Sequence, residues 1–302
     1  MSHAPGPGAP VFILGIARRS GTNHLARLLR AHPACGEPAT PLVEDHLLRH
    51  ADLLVRYADA VQDRRPSRWG PGTDATADLV ARLGTAVVDH VAAGAPAVRV
   101  VTKTPSVDLL RLAPVVLGTA SVIVLVRDGR AVVESLVRGF RLSWEAAIDE
   151  WVRGACQVVA HRDGGALLVR YEDLTPDPTD ELRRIFSTVD LDPDPYDFDA
   201  ARSAPVVGSS FLRTEQGDLV WDAGHTGDVV RNPNPAWPRH ARIRWDQRAA
   251  DVSHSLGYPS AIDGSSTRVE RVVASAAYPA VSRLWDAAMS ARKNLRQRTH
   301  RP

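Results

Sequence analysis

The strongest constraint on the fold is a pattern that occurs twice. Val11-Phe12-Ile13-Leu14-Gly15-Ile16 runs without a polar residue into Ala17-Arg18-Arg19-Ser20-Gly21-Thr22, and Val122-Ile123-Val124-Leu125-Val126 runs into Arg127-Asp128-Gly129-Arg130 with Ser135 beyond. A short, continuously apolar strand is buried on both faces, which is the habit of a parallel sheet rather than of a half-solvated antiparallel one. Each strand ends at cationic and hydroxyl groups where a helical pattern begins. Backbone N–H groups and positive charge therefore meet at the strand ends, the arrangement that holds phosphate. Two such loops suit one ligand with phosphates in two places.

Between and around these loops the chain alternates strand and helix. Strands are expected over residues 11–16, 97–102, 121–126 and 166–170, and helices after Thr22, over 107–117 and from Ser143, where Trp144, Ile148, Trp151, Ala155 and Val159 form one buried stripe. Residues 39–73 read as an insertion with a helix around Leu47, Leu48, Leu53 and Leu54, and Asp74 is placed to cap the next helix, which runs to Gly94. Residues 192–240 are rich in Pro, Gly and Asp and predict a loop with little regular structure, and 244–256 predict a single helix. The expectation is an α/β chain: a single P-loop-like domain with a central parallel sheet flanked by helices, plus a C-terminal helical extension. Residues 1–10 form a leader, 11–260 the domain, and 261–302 a Ser/Gly linker with a basic helical tail.

Composition removes several functional classes. The 302 residues carry a net charge of +2, which makes no case for nucleic acid, and no stretch approaches the ~18 apolar residues of a membrane span. Two cysteines, Cys35 and Cys156, give no disulfide framework, and no Cys/His spacing resembles a zinc site. The four-residue spacing of His46 and His50 would put them on one face if that stretch were helical, but it supplies no third ligand, so no metal is expected. The N-terminal residues have neither a basic region nor an apolar core, and a reducing cytoplasm is the expected compartment. The arginine-rich, lysine-poor composition suits a bacterium with GC-rich coding.

Lysine usage is itself a signal. Of 37 Lys and Arg residues only Lys103 and Lys293 are lysine. Lys103 follows an apolar strand, at a place where a compact ammonium approaches a small transferring group more closely than a broad guanidinium fork does. The first loop also departs from an ATP-binding P-loop. Five residues separate Gly15 from Gly21, and Thr22 follows glycine with no lysine between.

The strand, the Arg-Ser-Gly-Thr turn at 19–22 and the helix resemble the 5′-phosphosulfate loop of sulfotransferases, and Arg127 with Ser135 resembles their 3′-phosphate site. Over residues 11–258 the chain is most similar to the protein-tyrosine sulfotransferase branch and its bacterial relatives. Cys35-Gly36-Glu37 falls where that branch has a catalytic glutamate, Thr102-Lys103-Thr104-Pro105 resembles its Asn-Lys-Asp-Pro element, and Tyr171-Glu172-Asp173-Leu174 and Gly208-Ser209-Ser210 occupy later nucleotide contacts. Asn23 replaces a usual threonine, and Gly139 replaces an arginine, with Arg138 and Arg141 adjacent.

The resemblance implies a sulfotransferase that uses 3′-phosphoadenosine 5′-phosphosulfate as donor, releases adenosine 3′,5′-bisphosphate, and acts on a hydroxyl or amine of a small-molecule, glycan or peptide acceptor. It implies Glu37 as base, Arg19 and Lys103 at the transferring group, and Arg18, Arg19, Ser20, Gly21, Thr22, Asn23, Arg127, Ser135, Tyr171, Ser209 and Arg213 around the donor. Glu44, Asp45 and His46 compete with Glu37 for the proton. A P-loop kinase-like phosphotransferase and a non-catalytic nucleotide-binding protein are the rival readings. The tail, with Arg292, Lys293, Arg296, Arg298 and Arg301, has three readings: a docked helix, an oligomer contact such as a homodimer, or a surface helix touching acidic lipid.

Overall fold

The computed structural model describes residues 8–38, 44–62, 75–92, 99–175, 177–206, 210–213, 219–222, 237–260, 262 and 266–299. Two compact units are present: the first comprises 1–127, 160–209 and 223–227, the second 128–159, 210–222 and 228–302. Asp74, Gly94 and the loop around Pro66 lie outside the described residues.

The first unit is built on a five-stranded parallel sheet: β1 (Val11–Gly15), β2 (Cys35–Gly36), β3 (Arg99–Thr104), β4 (Ser121–Val126) and β5 (Leu167–Arg170), in the order β2-β3-β1-β4-β5. Val11, Ile13 and Leu14 in β1 and Ile123, Leu125 and Val126 in β4 are fully buried, as the uninterrupted apolar runs predict. Burial of each such side chain stabilises the sheet by about 1.5–3 kcal/mol. Helix α1 (Thr22–Arg30) follows β1; α2 (Asp52–Gln62), α3 (Ala75–Ala92) and α4 (Ala113–Val116) precede β4. α7 (Thr179–Val189) and α8 (Phe198–Ser203) follow β5. The chain leaves the adjacent strands β1 and β4 in opposite directions, toward β2 and toward β5. Their carboxyl ends therefore frame the crevice in which open α/β sheets hold ligands.

In the second unit, α5 (Gly129–Phe140) and α6 (Trp144–Ala160) precede a hairpin of β6 (Ser210–Arg213) and β7 (Leu219–Asp222), then α9 (Arg239–Arg248), α10 (Ala250–Ser255) and α11 (Arg268–Thr299). Its core holds four tryptophans in sequence of contact, with ring centroids 4.9 Å apart for Trp144–Trp237, 5.6 Å for Trp237–Trp245 and 5.1 Å for Trp245–Trp151. Of the stripe expected on α6, Ile148, Trp151 and Ala155 are fully buried, Trp144 is half-buried, and Val159, at the helix end, is 37% exposed; Trp245 on α9 is fully buried.

Four expectations change. β3 runs two residues further than the apolar pattern, so Lys103 lies inside the strand, paired in register with Ile13, because β1 offers ladder partners beyond the last valine. The helix expected over 107–117 is a 3₁₀ turn at Leu110–Leu112 followed by the single turn α4, with Pro114 near its start. The segment 192–240 contains α8 and the β6–β7 hairpin, where little regular structure was expected. Finally, the helix expected over 244–256 starts earlier, at Arg239, and breaks at Ala249 into α9 and α10.

Candidate functional site

The loop from β1 to α1 braces itself from within. The buried Ser20 hydroxyl donates to the Ala17 carbonyl and accepts from the Ala17 N–H at 3.1 Å, which closes the turn locally. Arg19 adopts φ 71 and Gly21 φ 98. Glycine is required at 21 on two counts: the left-handed backbone, and the Tyr171 ring, whose Cδ2 would lie 2.4 Å from an added Cβ. Gly21 is the N-cap of α1, and no acidic side chain occupies the first helical turn. The positive end of the helix dipole and the first N–H groups therefore face the loop. Thr22 is buried at that helix start, and Asn23 and Arg18 are half-buried.

Arg127, at the end of β4, reaches back to this loop. Its Nη1 donates to the Arg19 carbonyl at 2.9 Å, and its guanidinium lies 4.1 Å from the centroid of the buried Tyr171 ring. Tyr171 thus supports both Gly21 and Arg127. Burial, followed by the charge of Arg127, holds the Arg19 guanidinium below its ordinary pKa. Two cations are kept close at the strand ends, an arrangement that an anionic ligand relieves. His24, on the buried side of α1, is pushed down to about 4 by burial and then by Arg27, so it is neutral at pH 7 and packs edge-on to Tyr171 with centroids 6.4 Å apart.

The third element of the site lies on β3. The Lys103 side chain is 9% exposed, and its Nζ bonds Glu44 Oε1 at 3.0 Å. The other oxygen, Oε2, lies 3.2 Å from His46 Nε2. Neighbouring bonds fasten this segment to the strand: Thr102 Oγ1 donates to Asp45 Oδ2 at 3.0 Å, and the His46 N–H to Thr104 Oγ1 at 3.0 Å. The two threonines flanking Lys103 thereby dock residues 45 and 46 beside it. Burial pushes the Lys103 pKa down and Glu44 opposes it.

Glu37 is placed differently. Its side chain is 73% exposed and pairs with Arg30 Nη1 at 2.6 Å, while Arg30 also donates through Nε and Nη2 to the Val101 carbonyl at 3.0 and 2.7 Å. The structure therefore brings together Arg19, Ser20, Gly21, Thr22, Arg127 and Tyr171 as one group and Lys103 with Glu44 and His46 as another, with Glu37 on Arg30. Ser135 is 9% exposed on α5 and Arg213 ends β6, both in the second unit; Ser209 lies outside the described residues. Among the described residues no group of three His, Cys, Asp or Glu is arranged to hold a metal ion. Sequence reasoning did not single out Arg30; its only signal was a basic residue in the last turn of α1.

The solved structures that the chain resembles include three sulfotransferases whose likeness in shape is low. A sulfotransferase domain from the Synechococcus PCC 7002 olefin synthase is 25% identical, covering 67% of this chain and 79% of its own, with a TM-score of 0.43. A sulfotransferase domain from the curacin biosynthetic pathway is 18% identical, covering 84% and 99%, with a TM-score of 0.46. Sulfotransferase STF9 from Mycobacterium avium is 18% identical, covering 61% and 64%, with a TM-score of 0.38. No curated protein matches the chain. The assignment rests on the model of the sulfotransferase family, which matches residues 10–195 and so takes in the β1 loop, Lys103, Arg127 and Tyr171. The chain belongs to the sulfotransferase family.

Proposed function

We propose that this sulfotransferase moves a sulfuryl group from 3′-phosphoadenosine 5′-phosphosulfate to a hydroxyl or amine acceptor, in the manner of the tyrosine-sulfotransferase branch. The observation that carries the reading is the convergence of Arg19, Arg127 and the N-terminus of α1 at the carboxyl ends of β1 and β4, with Lys103 on the adjoining strand. Bound there, the donor supplies an electrophilic sulfur whose bridging oxygen leaves with the 5′-phosphate. The loop from Arg18 to Asn23 holds that phosphate, and Arg127 the 3′-phosphate. Arg19 and Lys103 take up the negative charge that grows on the leaving oxygen and the transferring group. Ser135, Ser209 and Arg213 enter the reading on sequence resemblance alone.

For the acceptor proton we favour Glu44 over Glu37. Glu44 touches Lys103 and is backed by His46, whereas Glu37 is largely exposed and held by Arg30. A base must stand within hydrogen-bond reach of the proton it takes, and the proton must leave as the new O–S bond forms. Glu44 accepts it, and His46 on the other carboxylate oxygen fixes the orientation. Glu44→Gln is expected to slow transfer on the order of 10²-fold with nucleotide affinity retained. A fully active Glu44→Gln alongside an inactive Glu37→Gln would return the role to Glu37.

The donor assignment is tested by calorimetry with adenosine 3′,5′-bisphosphate against ATP with Mg²⁺. The bisphosphate is expected to bind and Arg127→Ala to weaken it by about 1.5–3 kcal/mol, roughly 10- to 150-fold. Binding of ATP alone would overturn the donor, and an unchanged affinity in the variant would remove Arg127 from the site.

A further inference from the structure

Helix α11 carries a feature that sulfuryl transfer does not use. It is 32 residues long, about 48 Å at the α-helical rise. One face is fastened to α9: Glu270 pairs with Arg239 at 2.7 Å, Gln247 Nε2 donates to the Arg271 carbonyl at 3.0 Å, and Tyr278 stacks on His240 at 4.2 Å. Ala274, on that face, is 2% exposed. The opposite face is apolar and open to solvent. Val269 is 72%, Val272 60%, Val273 54% and Leu284 74% exposed, and the exposed Ala276 and Ala280 fill the positions between them. At ~100° per residue these six lie within an arc of ~120°, a stripe that the exposed Arg283 interrupts with one cation.

Charge distinguishes what such a stripe meets. Residues 268–302 contain eight Arg or Lys and two Asp or Glu, a net charge of +6, while the whole chain carries +2. The remaining residues are therefore net −4, and the cationic character is concentrated in the C-terminal segment. A second copy of α11 laid on the stripe, parallel or antiparallel, would set +6 against +6. An anionic bilayer surface offers the opposite sign, and burial of the valines and Leu284 at the headgroup boundary adds an apolar term; the combination of a basic segment and an apolar stripe is that of a helix lying in the interface plane. Among the described residues no helix is long and apolar enough to cross a membrane, so the contact is with the surface.

We propose that α11 and the basic segment that ends the chain bind the surface of an anionic lipid bilayer, with the Val269–Leu284 stripe toward the lipid. The test is flotation of the full chain with vesicles of phosphatidylcholine alone and of phosphatidylcholine with phosphatidylserine, and light scattering to give the oligomeric state. Binding is expected only to the phosphatidylserine vesicles, and it should fall at least tenfold between about 0.1 and 1 M salt, as the screening length drops from about 10 to about 3 Å. Val273→Asp with Leu284→Asp should abolish it, and unchanged circular dichroism and bisphosphate affinity would show that the fold and donor site are intact. The proposal is overturned if phosphatidylserine vesicles do not retain the chain, or if the double variant binds as well as the parent. A dimer that the double variant dissolves would instead assign the stripe to a second copy.

Discussion

Lys103→Ala is expected to lower kcat by about 10²–10³-fold, the loss seen when one preorganised group facing a developing charge is removed. Lys103 is one of two lysines in the chain, and it sits in β3 with 9% of its side chain exposed. Its ammonium is therefore fixed by the sheet and needs little reorganisation as charge moves. The sulfuryl group is absent from adenosine 3′,5′-bisphosphate, so affinity for that product should change little; this separates a role at the transferring group from a role in holding phosphate. Lys103→Arg should not restore the rate. A planar guanidinium is broader than an ammonium, and the site already contains Arg30, whose charge opposes that of Lys103. A rate within tenfold of the parent for Lys103→Ala, in a variant that melts normally, would place the transferring group elsewhere.

Residues that act through their immediate chain neighbours were legible in the sequence. β1 and β4 declare themselves by apolar runs, and the loops that follow carry the residues proposed to hold the donor in adjacent letters: Arg19, Ser20, Gly21 and Thr22 in one, Arg127 in the other. Glu44 was only one of several nearby competitors, because its pairing with Lys103 spans 59 positions and depends on Thr102 and Thr104 catching the backbone and side chains of 45 and 46. The resemblance at Cys35-Gly36-Glu37 pointed instead to the carboxylate that Arg30 holds. Tyr171 shows the same limit. Its sequence context names a nucleotide contact, but its ring also fills the space that Gly21 leaves and supports Arg127, roles that depend on β5 lying beside β4. The β6–β7 hairpin escaped because its strands are four residues each within a Pro-, Gly- and Asp-rich segment, too short for alternation to register.

Glu145→Ala is expected to destabilise the second unit by about 3–5 kcal/mol, because it strands buried guanidinium charge. The Glu145 side chain is 7% exposed and meets Arg244 twice, Nε to Oε2 at 2.9 Å and Nη2 to Oε1 at 2.5 Å, with Arg248 Nη1 on Oε1 at 2.9 Å. Arg244 also reaches Ser275 of α11 at 3.3 Å, so the same carboxylate anchors the docked face of the C-terminal helix. Burial pushes the Glu145 pKa up, but the two arginines outweigh it and leave the carboxyl below its usual range. A depressed carboxylate stabilises the fold above the unfolded pKa of ~4.3, and that stability is lost as pH falls through the lower folded value. Asp149, beside Arg248, is raised chiefly by burial, so its contribution has the opposite sign: it is present in acid and lost as pH rises through its folded value. Denaturant titrations of the parent and Glu145→Gln should therefore differ most near neutrality and converge only in acid below the lowered folded value of Glu145, where the parent's own carboxylate is protonated. An equal difference at both pH values would mean that Glu145 contributes through shape alone, and the buried charge would then have no part in holding α9 to α11.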